Sequence, residues 1–390
     1  MSDSRPIGIY IHIPFCRRKC IYCDFFSVGE RLADWPRLVD ALLAEARERI
    51  PSGASLSRSS YSLYIGGGTP SLLPPAEFRR LSQGLLEMLP SAPVEFTVEV
   101  NPDDVTELSA RLWRECGVDR VSMGVQSLVD TELRLIGRRH DSATARKAFS
   151  ILRSHFANIS LDLMFGLPEQ TLDSLAHTLE GFIGMAPEHI SAYSLMYEER
   201  TALTRMRDSG RIAEAPEDRS VEMFRMINAR LAEAGWEQYE ISNYARPGRR
   251  SIHNSNYWQG RPYIGLGPGA HSYDGLSTRR ANLPDLKTYL SCYAPCPSPN
   301  PSSPTTAPFE LEQLSDNDLR EEMIMTRLRT REGLPLADFS RRFGAGSLAG
   351  LRDAAAPFLK SGLLILDGDG SLRLSKEGIM ISDDIISSLF

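Results

Sequence analysis

The sequence is poor in cysteine, with six in 390 residues. A chain of this length can bury a sizeable core of its own, so disulfide staples of the small secreted kind are not needed. No apolar run approaches the roughly 18 residues that a membrane-spanning helix needs. Excess positive charge is also missing: the formal charge is −6, which removes the bulk argument for nucleic acid or an anionic membrane as partner. Histidine is scarce, with seven in all. The segment Met1–Arg5 lacks a basic n-region, and the run behind it carries His12 and Pro14. Both features speak against a secretory signal and place the chain in the cytoplasm. The remaining composition, 42% hydrophobic and 24% charged, is that of a globular protein.

Three of the six cysteines crowd into eight residues, Cys16-Arg17-Arg18-Lys19-Cys20-Ile21-Tyr22-Cys23. Short spacings of this kind suit thiolates that hold an iron–sulfur cluster. Three thiolates can bind three irons of a [4Fe–4S] cubane and leave the fourth open. Zinc is the alternative, but a structural zinc site wants a fourth ligand and usually paired CxxC. The nearest candidate, His12, lies inside the apolar run Ile7–Ile13. Arg17, Arg18 and Lys19 read as a solvated stretch of loop.

CxxxCxxC after a first strand resembles the signature of radical S-adenosylmethionine (SAM) enzymes. The resemblance implies that the amino and carboxylate groups of SAM chelate the open iron. It further implies that an electron from the cluster cleaves the sulfonium to a 5′-deoxyadenosyl radical.

Strand and helix patterns then alternate. Strands are expected at Ile7–Ile13, Ser60–Ile65, Val94–Val100, Arg120–Val125, Ile159–Phe165 and Ile190–Met196, with amphipathic helices between them. Six alternations predict an α/β fold with a parallel sheet. The resemblance implies the partial (β/α)6 barrel of radical SAM proteins over residues 1–235. Residues 236–294 hold Ser242–Tyr273, rich in Gly, Pro, Asn and aromatics, and read as an ordered loop region. Residues 295–308, with six prolines, read as a linker. Residues 309–390 read as a small helical unit with a hairpin, resembling a winged helix. Without a basic stripe it is not expected to bind nucleic acid.

In α/β sheets chemistry sits at the carboxyl ends of the strands. Gly66-Gly67-Gly68-Thr69 ends the second strand, where glycines allow a ligand to approach the backbone. Glu99, Gln126, Arg138 and Asp162 fall at or just after later strand ends. Each could be a satisfied core polar group. These segments resemble those of the coproporphyrinogen-oxidase-like branch of radical SAM proteins. There the matching glycines, Thr, Glu, Gln, Arg and Asp contact SAM, and the residue matching Tyr10 flanks the cluster.

His253-Asn254-Ser255-Asn256-Tyr257-Trp258 is the second unusual stretch, with Arg246, Arg249, Arg250 and Arg261 around it. A lone histidine is more often structural, but imidazole, aromatics and arginines together suit a porphyrin with two carboxylates. The stretch resembles the HNxxYW motif of HemW-type haem chaperones, which implies haem attachment at His253. His271 is a weaker candidate. Cys292 and Cys296 repeat a CxxxC spacing without a third thiol, and Cys116 reads as core.

Within that branch, oxygen-independent coproporphyrinogen III oxidase continues its cysteine loop with Cys-x-Cys. Here Asp24 and Phe25 follow Cys23 instead. The expectation is therefore a haem chaperone without oxidase turnover, serving respiratory haem proteins, some of them at the membrane. A homodimer is compatible with it, and the oxidase is the alternative.

Overall fold

The computed structural model describes residues 6–51, 60–293 and 307–390. The expected linker 295–308 lies outside the described residues except for its last two positions, as does Cys296.

The alternation read from the sequence is realised. β1 (Ile7–Ile13) runs into the cysteine segment, where two short strands pair, β2 (Phe15–Cys16) and β3 (Val28–Gly29). There follow α1 (Trp35–Arg49), β4 (Tyr61–Gly67), α2 (Pro75–Met88), β5 (Glu95–Val100), α3 (Glu107–Glu115) and β6 (Arg120–Gln126). Next come α4 (Asp130–Leu135), α5 (Ser142–His155), β7 (Ile159–Phe165), α6 (Leu172–Met185) and β8 (His189–Ser194). Capping boxes at Thr106/Ser109 and Thr171/Ser174 start α3 and α6, satisfying N–H groups that a helix start leaves open. β1, β4, β5, β6, β7 and β8 pair in parallel in that order.

The region expected to be loop is not loop. After α7 (Ala202–Asp208) and α8 (Glu217–Glu233) it forms β9 (Glu237–Glu240), β10 (Asn243–Ala245), α9 (Ile252–Trp258), β11 (Tyr263–Leu266), β12 (His271–Tyr273) and β13 (Thr278–Asn282). α10 (Leu286–Tyr293) and β14 (Phe309–Gln313) follow. These strands extend the sheet at both edges to twelve, in the order β14-β13-β12-β11-β1-β4-β5-β6-β7-β8-β10-β9. β11 joins β1 in parallel, with Gly8 opposite Tyr263. The expectation of a loop fails because these residues are organised by distant partners rather than by local periodicity.

The C-terminal unit holds α11 (Asp316–Leu328), β15 (Leu334–Pro335), α12 (Leu336–Lys360), β16 (Leu364–Leu366) and β17 (Ser371–Leu374). It has its own apolar cluster around Ile324, Phe339, Leu364 and Ile385. Gly344, at φ +85°, breaks α12 into two segments.

Alternation along the parallel strands separates two faces. Ile9, Ile11, Leu63, Ile65, Val98, Val121, Met123, Leu161 and Ile190 belong to the main apolar core. The alternate positions are polar: Tyr10 and His12, Ser62 and Tyr64, Glu95, Thr97 and Glu99, Arg120 and Ser122, Ser160 and Asp162, His189 and Ser191. Their mutual bonds mark a shared interior. Ser62 Oγ lies 3.0 Å from His253 Nδ1, Ser160 Oγ 2.8 Å from His189 Nδ1, and Ser122 Oγ donates to Asp162 at 3.2 Å.

Candidate cofactor site at the barrel mouth

Cys16 is carried by the β2–β3 pair, and Cys20 and Cys23 lie on the loop between those strands. Thr69 Oγ1 donates to Cys16 Sγ at 3.4 Å, and Arg138 Nη1 to Cys20 Sγ at 3.6 Å. The Cys23 N–H bonds the Cys20 carbonyl at 3.2 Å. Among the described residues, no three His, Cys, Asp or Glu side chains converge as they would on a single metal ion. Burial pushes the Cys16 and Cys23 thiols up. A bound metal reverses that by deprotonating its thiol ligands.

The three cysteines open onto a cavity of about 400 Å³. Gly67, Gly68, Thr69, Glu99, Gln126, Arg138 and Asp162 also line it, so these expected SAM contacts converge on one space. Gly67 has φ +108°, and a Cβ there would lie 2.6 Å from His12 Nδ1. A Cβ on Gly68 would lie 2.7 Å from the Phe15 carbonyl and 3.1 Å from Cys16 Sγ. The glycines thus let the second strand end pass directly under the cysteine loop. Gln126 also has positive φ, +70°, at a register shift in β6. Such strain in a non-glycine residue concentrates at functional sites.

Tyr10 and Gly66 stand behind the cavity wall. The Tyr10 hydroxyl is 3.1 Å from His12 Nδ1, and its ring lies 6.1 Å from Tyr64. A Cβ on Gly66 would meet both tyrosine rings and Glu99 at about 3 Å. Arg138 Nη2 donates to Asn101 Oδ1 at 2.7 Å and to the Gly124 carbonyl, which fixes the guanidinium beside Cys20.

Glu99 accepts from Tyr64 OH at 2.8 Å and from the Gly67 N–H at 3.0 Å. Removal from bulk water raises it from 4.5 to about 7, against these bonds and with help from Asp162. Burial likewise lifts Asp162 to about 6. Between pH 4.5 and 7 the folded chain keeps the Glu99 proton while the unfolded chain has lost it. Stability from this group is therefore full below 4.5 and is lost as pH rises through 7. We expect Glu99→Gln, without cofactors, to gain on the parent between about pH 5 and about pH 7.5. Urea denaturation across that range checks this; a pH-independent difference would refute it.

His253 is not on an open loop. It lies on α9 and is 1% exposed. Its Nδ1 faces Ser62 Oγ, and its Nε2 lies 2.9 Å from Tyr257 OH. Burial, then the Arg120 charge, pushes it down to about 3. Two of the four arginines expected around it turn elsewhere. Arg246 stacks on Trp236 at 3.5 Å, and Arg250 pairs with Glu332 at 2.6 Å. α9 is held by Glu95, whose carboxylate accepts the N–H groups of Ile252 and His253, each at 2.9 Å, and Ser251 Oγ at 3.3 Å. The motif thus forms a plug in the barrel interior, with Asn254 reaching the cavity wall. His271 is exposed on β12, away from this cavity's lining.

Arg120, Ser122 and Ser191 also line the cavity but were not singled out from the sequence. The signal was the polar alternation within strands whose other face is wholly apolar.

The Radical SAM superfamily model matches residues 10–181, and the HemN C-terminal domain model matches 314–381. The heme chaperone HemW of Bacillus subtilis (strain 168) is 34% identical over 97% of this chain and 98% of its own length. The chain belongs to the HemW-type radical SAM family. A second HemW-type relative, from Mycobacterium tuberculosis, is 34% identical over 99% of this chain and 95% of its own. The mitochondrial radical S-adenosyl methionine domain-containing protein 1 of Bos taurus is 33% identical over 99% of this chain and 88% of its own. The solved coproporphyrinogen III oxidase (HemN) of Escherichia coli superposes with a TM-score of 0.83 over 99% of this chain and 90% of its own, at 23% identity. HemW-type chain and oxidase thus share a fold. Membership of the radical SAM family implies SAM and a [4Fe–4S] cluster, and the thiols, glycines and carboxylates of the mouth fit both.

Proposed function

We propose that the chain is a cytoplasmic haem chaperone that binds haem and passes it to respiratory haem proteins, including membrane-bound ones. Full-length similarity to proteins named heme chaperones carries this reading. The replacement of a further loop thiol by Asp24 and Phe25 supports it. Among the described residues, no helix is long and apolar enough to cross a membrane, so contact with a membrane-bound recipient would be made from outside the bilayer. A homodimer is part of the same proposal.

When bound, the cluster supplies one electron to the SAM sulfonium. Cys16, Cys20 and Cys23 hold the cluster. Arg138 beside Cys20 orients the methionine carboxylate, and Glu99 and the Gly66–Thr69 segment position the amino end. Gln126 and Asp162 take the nucleoside, and Tyr10 supports this wall from behind through Tyr64. His253 is the proposed haem ligand. Both its nitrogens are engaged, so ligation would require Ser62 Oγ or Tyr257 OH to release one of them.

Haem titration of the parent and of His253→Ala tests this. We expect the variant to bind about tenfold more weakly or worse, with loss of the axial-histidine spectrum. Equal binding would remove His253 from the mechanism. The fold shared with HemN favours one second reading, oxidative decarboxylation. Protoporphyrinogen formed from coproporphyrinogen III with SAM and reductant would establish it and overturn the chaperone reading.

A further inference from the structure

Arg120 opens β6 and is 1% exposed. Its Nε and Nη1 are buried without a hydrogen-bond partner among the described residues. Glu95, Glu99 and Asp162 act on it through their charge, yet each spends its oxygens elsewhere. Glu95 holds the start of α9, Glu99 binds Tyr64 and Gly67, and Asp162 takes Ser122. A buried guanidinium with idle donors is costly, and native folds rarely leave one without use.

The side chain faces a space that could fill that need. Arg120 lines the 400 Å³ cavity together with Arg18, Lys19 and Arg138, against two carboxylates, Glu99 and Asp162. Apart from the thiols, the lining carries more positive than negative charge. Arg138 is tied to Cys20, where an acid group bound at the cluster would be read. Arg120 is left for another acid.

We infer that Arg120, with Ser122 and Asn254 in the lining of the same cavity, forms a carboxylate-binding subsite for a ligand that reaches into the barrel. A guanidinium fork matches a carboxylate in two-pronged geometry. Haem presents that group through a propionate, whereas the single carboxylate of SAM is already assigned to the cluster and Arg138. The occupant therefore rests on the chaperone reading.

The test is equilibrium binding to the anaerobically reconstituted full chain, with haem compared to haem dimethyl ester. We expect the parent to prefer the acid by about tenfold. Arg120→Gln should bring that preference close to one. Arg120→Lys keeps the charge without the fork; it should retain part of the preference, and it supplies the measurement if Arg120→Gln does not fold. A preference in the variants equal to the parent's overturns the subsite and leaves the chaperone reading standing. If the parent binds neither haem nor its ester, the chaperone reading falls and the subsite falls with it.

Discussion

Cys16→Ser is expected to leave the chain almost without iron. Cys16 is the most constrained of the three thiols: β2 pairs with β3 around it, and the Glu30 N–H bonds its carbonyl at 3.0 Å. Thr69 donates to its sulfur, and Gly68 packs so closely that no Cβ fits. The site is thus preformed, and serine fits it sterically. What serine lacks is the soft thiolate that iron–sulfur clusters select. Two remaining cysteines on a loop cannot hold a cubane. Iron and sulfide per chain after anaerobic reconstitution should fall about tenfold or more. Cys116→Ser, at the end of α3, should retain full iron. Equal iron in Cys16→Ser and the parent would remove the cluster from this loop.

Glu95→Ala should be the most destabilising single change in the barrel. It would strip the acceptor from two backbone N–H groups and a serine hydroxyl, the bonds from His253 and Ser251 being buried and that from Ile252 partly so. It would also remove the charge that counts most among those favouring the buried Arg120 cation. Breaking one side of a buried charged network costs about 3–5 kcal/mol. Glu95→Gln keeps an acceptor oxygen and should cost less, about 1–2 kcal/mol. Urea denaturation gives both values. Hydrogen exchange should localise the loss to α9, with the His253 amide exposed first. A Glu95→Ala chain as stable as the parent would show that α9 stands without its anchor.

The strand–helix order was legible because each parallel strand carries apolar residues at every second position and each helix an apolar stripe. The cysteine loop and the glycine segment were legible because their chemistry is local. α9 was not. Seven residues with two asparagines and a serine have little intrinsic helix propensity, and the carboxylate that holds them lies 157 positions away from Ile252. Its burial could not be read either, since arginines near His253 in sequence turn to Trp236 and Glu332 in space. Arg120 escaped notice because a strand start in a parallel sheet is ordinarily read as core. Only the assembled interior reveals that every second residue faces a polar chamber.

β1 sits in the middle of the sheet, yet its two neighbours are made at very different times. β4 follows it closely, whereas β11 begins at Tyr263. On a ribosome adding about 5–20 residues per second, roughly 10 to 50 seconds separate the emergence of β1 from that of β11. Through that interval the strand leading into the cysteine loop has an open edge, and α9, which follows β10, has not yet plugged the interior. A nascent chain would therefore present its three thiols on an unfinished sheet. The strand order thus leaves the cysteine loop beside a half-built sheet until the last third of the chain is made.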